Sequence, residues 1–213
     1  MLILNADDTR KALPMKSAIA GMKSAYAAFC DGTAQVPLRT QLPVPSHAGN
    51  FIVMPSLVSD GSNDSLAVKI VSVYPNNPDN NLPTIHAVVL VFEVNSGRVL
   101  AMIEGGMLTA IRTGAASGAA SDLLARPDSK TVAIFGAGIQ AKTQLEAICA
   151  VRQIEKIWIY DINIDRAIEF MNIFENFGDP HPRIQIAVNP EEAISSADII
   201  CTATTSKIPV FAD

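Results

Sequence analysis

A run of small residues, Gly136-Ala-Gly138-Ile-Gln-Ala141, directly follows an apolar segment and precedes a helical pattern. In the spacing G-x-G-x-x-A, the first glycine allows a tight turn and the second lets a pyrophosphate approach the backbone. The alanine lets the helix pack close to the strand, and the unpaired N–H groups at the helix N-terminus attract phosphate. The spacing therefore predicts a dinucleotide-binding turn in which Gly136 and Gly138 contact the cofactor.

Asp161 stands at the end of the next predicted strand, 20 residues beyond Ala141. A carboxylate at this position accepts hydrogen bonds from the adenine ribose hydroxyls and repels a 2′-phosphate. We therefore expect the chain to prefer NAD(H) to NADP(H). The alternative is a glycine-rich turn in an unrelated α/β domain, with Asp161 serving only to cap the helix that follows it.

Three basic residues are candidates for substrate binding or proton transfer. Lys69 lies within an apolar strand pattern, on a face that should be apolar, where it must reach solvent, meet an anion or move a proton. Arg112 lies near the start of a helix of small residues, where it either clamps a carboxylate or phosphate or forms an ordinary salt bridge. Arg39 is typical, on pattern alone, of a surface arginine.

The first half of the chain predicts an α+β unit that would position Arg39 and Lys69. A helix is predicted over residues 17–29, with an apolar stripe made of Ile19, Met22, Tyr26 and Phe29. Residues 33–60 are rich in proline and predict short extended pieces broken by turns. Strand patterns at 66–74, 84–92 and 98–103 are joined by short turns, which favours an antiparallel sheet.

The second half has a different pattern, which would position Arg112, Gly136 and Asp161. A helix rich in small residues is predicted over 107–124. Strands and helices then alternate at 131–135, 140–149, 156–160, 165–174, 184–188, 191–197 and 199–203. Alternation of this kind predicts a parallel sheet that is covered by helices on both faces.

The composition excludes several classes of function. Sixteen basic and 21 acidic residues give a net charge of -5, which argues against a nucleic-acid or anionic membrane surface. The apolar runs fall far short of the roughly 20 residues that a membrane-spanning helix needs. Cys30, Cys149 and Cys201 are odd in number and widely spaced, and the three histidines lack ligand spacing. We therefore expect no disulfide framework, no metal site and a cytoplasmic location.

A set of segments occurs in a fixed order over almost the whole chain. They are Val-Pro-Leu-Arg39-Thr, Val-Met-Pro55, Val-Lys69-Ile-Val, Leu-Pro-Thr84, Leu-Thr-Ala-Ile-Arg112-Thr-Gly-Ala-Ala-Ser, Phe-Gly136-Ala-Gly-Ile-Gln-Ala and Ala-Asp-Ile-Ile-Cys201-Thr-Ala. Together they resemble the ornithine cyclodeaminase/mu-crystallin family of NAD(P)-dependent enzymes. The segments around Arg112 and Gly136 are the most specific.

The resemblance implies an α/β fold made of two domains. An α+β domain for substrate binding and dimerisation would span residues 1–115, and a Rossmann-type NAD-binding domain would span 116–213. Family members continue past the last residue of this sequence, with the second half of the Rossmann sheet, an aspartate that works with the lysine, and further helices. We therefore expect this sequence to be incomplete and to lack a complete nicotinamide pocket. The family also implies a homodimer.

The resemblance also assigns roles to individual residues. Lys69 would be the catalytic acid/base and would contact the substrate, and Arg39 and Arg112 would hold its α-carboxylate. The residues implied in cofactor binding are Thr84, Arg112, Gly136, Gly138, Ile139, Gln140, Asp161 and Thr202. No metal is implied.

One departure from the family pattern concerns the substrate. Ornithine cyclodeaminases carry an acidic residue just before the Met-Pro pair, where it meets the distal amine of ornithine. The segment Phe51-Ile-Val-Met-Pro55 is apolar here. Because an unpaired ammonium in such a place is costly, we expect a smaller or cyclic α-amino or α-imino acid as the substrate.

The sequence thus predicts an NAD-dependent oxidoreductase that transfers hydride between the nicotinamide and the α-carbon of such a substrate. Reduction of pyrroline-2-carboxylate or another ketimine, and an alanine dehydrogenase reaction, are the candidate activities. One alternative is ornithine cyclodeaminase, a lyase that forms proline and ammonia with no net use of NAD. Another is a non-catalytic protein that binds NAD(P) and a ligand. Net cofactor consumption separates the first from the second, and any turnover separates both from the third.

Overall fold

The structure, a computed structural model, describes residues 1–59, 64–175, 177 and 181–211. The chain forms two compact units. We call Met1–Pro14 with Gly21–Thr109 the N-terminal unit, and Met15–Ala20 with Ala110–Asp213 the C-terminal unit. None of the helices in the described ranges is long and apolar enough to cross a membrane.

The N-terminal unit is built on a seven-stranded sheet. Its elements, with two helices that continue into the C-terminal unit, are β1 (Leu2–Leu4), α1 (Ala6–Ala12), α2 (Met15–Cys30), β2 (Ala34–Gln35), β3 (Thr40–Val44), β4 (Gly49–Val58), β5 (Ser65–Val73), β6 (Ile85–Phe92), β7 (Val99–Glu104) and α3 (Gly105–Leu124). The strand order is β1-β7-β6-β5-β4-β2, and β3 pairs with β4 beside β2. All pairs are antiparallel except β1 with β7, so the sheet is mixed rather than purely antiparallel as predicted.

The three predicted strands of this unit, now β5, β6 and β7, are present within one residue of their predicted ends. The predicted short extended pieces at 33–60 are wrong in one respect, because β4 is a continuous strand of ten residues that contains Pro55. In the described ladder, β3 pairs with β4 up to Val53 and β2 pairs from Leu57. Pro55 lies between these two registers, where its missing N–H removes no bond to that edge.

The predicted apolar stripe of α2 is divided between two environments. Ile19 is buried, together with Met15 and Ala18, in the part of the helix that belongs to the C-terminal unit. Tyr26 and Phe29 are 52% and 61% exposed, so the stripe is not one buried face as the periodicity predicts. The reason is that helical periodicity records which residues share a side of the helix, and not which side has a partner.

The C-terminal unit contains a parallel sheet of four strands in the order β10-β9-β8-β11. Its elements are β8 (Thr131–Phe135), α4 (Ile139–Val151), β9 (Lys156–Tyr160), α5 (Ile164–Phe174), β10 (Arg183–Ile186), α6 (Pro190–Ile194) and β11 (Ile199–Thr202). This confirms the predicted Rossmann-type sheet. It also shows that the first half of that fold, β8 to β10, is extended by one strand on the other side of β8.

Both faces of the C-terminal sheet are buried, as the predicted alternation requires. Alternate residues of β8 point to opposite sides. Val132 and Ile134 pack with the apolar residues of α4 and α5, including Leu145 and Phe170. On the other side, Ala133 and Phe135 pack in a separate cluster with Trp158, Ala187 and Ala193.

Arg152 closes the end of α3 in the C-terminal unit. Its side chain is only 9% exposed and donates hydrogen bonds to the carbonyl oxygens of Ser121, Asp122 and Ala125, at 2.8–3.0 Å. It also contacts the Asp122 carboxylate at 3.1 Å. The last carbonyls of a helix have no hydrogen-bond donor within it. Here the guanidinium of Arg152 donates to these carbonyls at the end of α3.

We expect the substitution Arg152→Met to lower the free energy of unfolding by about 2–4 kcal/mol, because several buried carbonyls lose a charged donor together. Urea denaturation followed by Trp158 fluorescence measures the change. Arg166→Met, at an exposed arginine of α5, is the matched control and should change stability by less than about 0.5 kcal/mol. Equal effects of the two substitutions would contradict the capping role.

Asp198 ties the start of β11 to the start of β8. Its carboxylate accepts the backbone N–H groups of Lys130 and Thr131 at 2.8 and 2.9 Å and pairs with Arg126. The hydrogen bonds from Lys130 and then Thr131, together with the Arg126 charge, hold the pKa of this carboxyl below its usual range. Its ionised form therefore stabilises the folded state.

We expect Asp198→Asn to be less stable than the wild type at pH 7, and the difference to shrink as the pH falls below about 4. A carboxyl with a lowered folded pKa contributes fully above its unfolded pKa, near 3.9, and loses that contribution as the pH passes down through the folded pKa. Urea midpoints of both proteins across this pH range measure it. A difference that stays constant down to the lowest pH would contradict the assignment.

Candidate functional site

The turn after β8 can be formed only by glycine at its first position. Gly136 has a φ of +91°, in the region that residues with a Cβ rarely adopt. A Cβ at this position would also lie 2.6 Å from the carbonyl oxygen of Ala203, which follows β11. The Gly136 N–H donates to the Tyr160 carbonyl at 2.8 Å. The turn is thus fixed between the ends of β9 and β11.

Gly138 has a different role from Gly136. It is the N-cap residue of α4, with extended backbone and no side chain that caps the helix. A Cβ here would meet no described atom within 4 Å, so packing does not require glycine. The first hydrogen bond within α4 runs from the Lys142 N–H to the Gly138 carbonyl. The N–H groups of Ile139 and Gln140, in the first turn of α4, precede this bond and therefore face an open approach that suits an anion.

Asp161 contacts this turn directly. Its Oδ2 accepts the N–H of Ala137 and its Oδ1 accepts the N–H of Asn163, both at 2.8 Å. The cap of α5 is Asn163, whose side chain accepts the N–H groups of Asp165 and Arg166. The alternative in which Asp161 only caps the following helix is therefore wrong.

Thr202 lies on the other side of the turn. It pairs with Phe135, and Phe135 also pairs with Tyr160, so the carboxyl ends of β11, β8 and β9 are level. The strand that follows β8, β9, lies on one side of it and β11 lies on the other, and such a switch point is where parallel sheets bind ligands. An open pocket of about 400 Å³ begins here, lined by Thr202, Thr204, Ser206 and residues 208–211.

The pocket residues beyond Thr202 were not predicted from the sequence. The available signal was the hydroxyl-rich run Thr202-Ala-Thr-Thr-Ser-Lys207, which begins at the last residue of β11. Phe211 gives no such local signal. It reaches the site by packing its ring on Phe135, with centroids 5.1 Å apart.

Arg112 lies on α3, which packs against α4 through its glycines. A Cβ at Gly114 would overlap the carbonyl of Thr143, and a Cβ at Gly118 would lie 2.9 Å from the Cβ of Ala147. Contacts that advance by four residues on both helices mean that α3 and α4 run in the same direction. Arg112, two residues before Gly114, is therefore level with the start of α4, and its side chain is exposed.

Lys69 lies in β5 of the N-terminal sheet, and Arg39 directly precedes β3. Thr40 pairs with Val53, so continuing that register by one residue places Arg39 opposite Met54. Met54 in turn pairs with Lys69. Directly opposed residues point to the same side, and strands lie about 4.8 Å apart, so the two backbones are separated by roughly 10 Å. Arg39 itself lies just before the paired residues of β3, so its place on the face of Lys69 stays a prediction.

The same face is apolar on β4. Ile52 and Met54 alternate onto the side of Lys69, while Phe51 and Val53 point to the other side. Of the apolar segment that the sequence singled out, only Ile52 and Met54 are therefore placed on the face of Lys69. Neither can neutralise a distal ammonium group of a substrate.

Thr84 is not brought to Lys69 by the sheet. Its carbonyl accepts the N–H of Tyr74, at the end of β5 and five residues from Lys69. At about 3.4 Å per residue, this is roughly 17 Å along the strand. Its place beside the cofactor or substrate stays a prediction.

The cysteines are free thiols and carry no signal of reactivity. Burial raises the pKa of Cys149 to about 12 and that of Cys201 to about 11. Thiols of this kind are uncharged near pH 7 and are weak nucleophiles. In the part of the chain that the structure describes, no group of three or more His, Cys, Asp or Glu side chains is placed to hold a metal ion.

The model of the ornithine cyclodeaminase/mu-crystallin family matches residues 1–213. The chain is 40% identical over 214 residues to a Δ1-pyrroline-2-carboxylate reductase of Bacillus cereus, covering 100% of this chain and 64% of that protein.

Two solved structures are similar in fold over nearly the whole chain. One is the Δ1-pyrroline-2-carboxylate reductase of Thermococcus litoralis in complex with NADH and L-proline, with 42% identity, a TM-score of 0.88, and coverage of 99% of this chain and 64% of that one. The other is an archaeal alanine dehydrogenase dimer with bound NAD, with 31% identity, a TM-score of 0.88, and coverage of 99% and 62%. The chain thus spans somewhat less than two thirds of the length of these relatives.

Substitutions of the two glycines of the turn distinguish an effect on folding from an effect on ligand binding. We expect Gly136→Ala to lower the free energy of unfolding by about 2–3 kcal/mol, because it combines a positive φ with a clash against the Ala203 carbonyl. Gly138→Ala should leave stability within about 1 kcal/mol and weaken dinucleotide binding, because its Cβ enters only the open approach. Urea denaturation and a fluorescence titration with NADH measure both. Unchanged NADH affinity in Gly138→Ala would contradict the placement of the ligand.

Proposed function

Because the chain belongs to the ornithine cyclodeaminase/mu-crystallin family, we propose that it is an NAD-dependent oxidoreductase that acts on a small amino or cyclic imino acid. The reaction that fits best is reduction of Δ1-pyrroline-2-carboxylate to proline. The observation that carries this proposal is the pairing of Lys69 with the apolar Met54, with Arg39 directly before the strand that pairs with β4 on its other side. The relatives named for this reaction, at 40% and 42% identity, support it.

The C-terminal unit has the features that NADH binding requires. The glycine turn and the start of α4 would receive the pyrophosphate, Asp161 the adenine ribose, and Thr202 the neighbouring part of the dinucleotide. Arg112, level with the start of α4, is suited to the phosphates, and the family resemblance also assigns it to the substrate carboxylate. When bound, NADH supplies the hydride that reduces the α-carbon.

The residues of the N-terminal unit would perform the remaining steps. Arg39 offers a planar pair of N–H donors that matches the substrate carboxylate and orients the ring. Lys69, roughly 10 Å away across Met54, would donate a proton to the imine nitrogen. Ile52 and Met54 would contact the carbons of the ring. This apolar surface favours a compact cyclic substrate over one with a second charged amine.

We also propose a preference for NAD(H) over NADP(H). It rests on the Asp161 carboxylate, which would repel a 2′-phosphate. Equal or tighter binding of NADPH would contradict it.

A homodimer is a further part of the proposal. The face of the N-terminal sheet opposite Lys69 exposes Leu42 and Phe51, which pair with each other across β3 and β4. An apolar pair on a sheet face is suited to contact with a second copy, and one of the structural relatives is described as a dimer. Because Cys30, Cys149 and Cys201 are all free thiols, we further propose that the protein works in the reducing cytoplasm.

The first experiment is NADH oxidation by the purified full-length gene product with Δ1-pyrroline-2-carboxylate, followed by absorbance. We expect one NADH to be consumed for each proline formed. Lys69→Ala should lower kcat by about 100- to 10,000-fold, the usual contribution of a positioned acid. Lys11→Ala, at an exposed lysine of α1 in the same unit, is the matched control and should keep full activity.

Other outcomes of this experiment would contradict the proposal in recognisable ways. Proline and ammonia from ornithine with no net loss of NADH would indicate the cyclodeaminase reaction. Binding of NADH without turnover of any amino or imino acid would indicate a ligand-binding protein. Full activity of Lys69→Ala would remove Lys69 from the chemistry.

A further inference from the structure

We propose that Asp161 is a positioning residue for the phosphate-binding turn in addition to its expected contact with the adenine ribose. The inference rests on the proposed NADH site and goes beyond the ribose contact. It states that the turn takes its anion-binding form because a carboxylate from the neighbouring strand end holds it there.

Two consecutive residues of the turn donate hydrogen bonds to two consecutive residues at the end of β9. The Gly136 N–H donates to the Tyr160 carbonyl, and the Ala137 N–H donates to Asp161 Oδ2, both at 2.8 Å. Ala137 is only 8% exposed. Without the carboxylate its N–H would lose its acceptor in a place that water hardly reaches, which is unfavourable for a backbone donor.

The other carboxylate oxygen holds the Asp161 side chain in place. Asp161 Oδ1 accepts the N–H of Asn163 at 2.8 Å, and the Asn163 side chain caps the start of α5. The carboxylate therefore connects the turn that precedes α4 with the turn that precedes α5. A shift of either turn breaks a hydrogen bond to a charged acceptor.

Asp161 can hold the turn and still bind a ribose. Each oxygen of an ionised carboxylate has two acceptor sites, and each uses one of them for a backbone N–H. Asp161 is partly exposed, so the remaining sites are open to a diol. One carboxylate would thus serve two parts of the cofactor, the ribose by contact and the pyrophosphate through the turn.

Inorganic pyrophosphate distinguishes this role from a pure ribose contact, because it has no ribose. If Asp161 acts only on the ribose, its removal leaves pyrophosphate binding unchanged, or improves it through the loss of a nearby negative charge. If Asp161 holds the turn, its removal weakens pyrophosphate binding. Weaker pyrophosphate binding after removal of Asp161 is therefore expected only if Asp161 holds the turn.

The experiment is displacement of NADH by pyrophosphate, followed by NADH fluorescence, in the wild type and in Asp161→Ala and Asp161→Asn. We expect Asp161→Ala to raise the inhibition constant of pyrophosphate about tenfold, the fold-change for loss of one hydrogen bond to a charged group. Asp161→Asn keeps one acceptor oxygen and should fall between Asp161→Ala and the wild type. A purely electrostatic effect would make the two variants equal.

Asp165→Asn is the matched control. It removes the same charge from the first turn of α5, four residues away, and should leave pyrophosphate binding unchanged. Amide hydrogen exchange gives a second readout. We expect the Ala137 amide to exchange faster in Asp161→Ala while the Ile134 amide of β8 does not change, whereas a general loss of stability would accelerate both.

Pyrophosphate binding that is equal or tighter in both Asp161 variants would overturn the inference. Failure of pyrophosphate to displace NADH from the wild type would also overturn it, because the anion would then not lie on this turn. Failure of the wild type to bind NADH at all would instead contradict the proposed function. The two failures are therefore distinguishable.

Discussion

The backbone of Gly136 is the constraint on which the nucleotide site depends. Its positive φ turns the chain sharply at the end of β8, and the Ala203 carbonyl occupies the place where a Cβ would be. This close approach is possible because β11 pairs with β8 in parallel and ends at the same level. From this single turn follow the start of α4, the contact of Ala137 with Asp161 and the position of Thr202. A change at Gly136 therefore acts on the fold and on the site together.

The N-terminal unit depends on a different constraint, the two-residue alternation of strands. Alternation and register place Met54 beside Lys69, and the register of β3, if continued by one residue, would add Arg39 to the same row. The same rule sends Phe51 to the opposite face and keeps Ile52 on the face of Lys69. The chemistry available to a substrate is thus set by pairing. A shift of one residue in β4 would replace Met54 beside Lys69 with Val53 or Pro55 and turn its neighbours to the other side.

Many elements of the fold can be predicted from local sequence patterns. Strands β5, β6 and β7 were predicted within one residue because turn residues mark their ends. Strands β8 and β9 were predicted because they are short and largely apolar and are followed by Gly136 and Asp161. Strand β1 and helix α1 were missed, although Asn5 and Asp8 form a capping box at the start of that helix. A three-residue strand has too few residues for alternation to show. Its formation depends on its parallel partner β7, far away in the sequence.

The sequence by itself determined the glycine turn, the parallel sheet around it and the acid at the end of β9, because each follows from conformational limits or apolar patterns within short segments. Only the tertiary structure decided that Met54 stands beside Lys69, that α3 lies against α4 at Gly114 and Gly118, and that Asp161 holds Ala137. These contacts join residues that are distant in the chain. They depend on strand register and on the close approach of backbones, and neither leaves a pattern in any single segment.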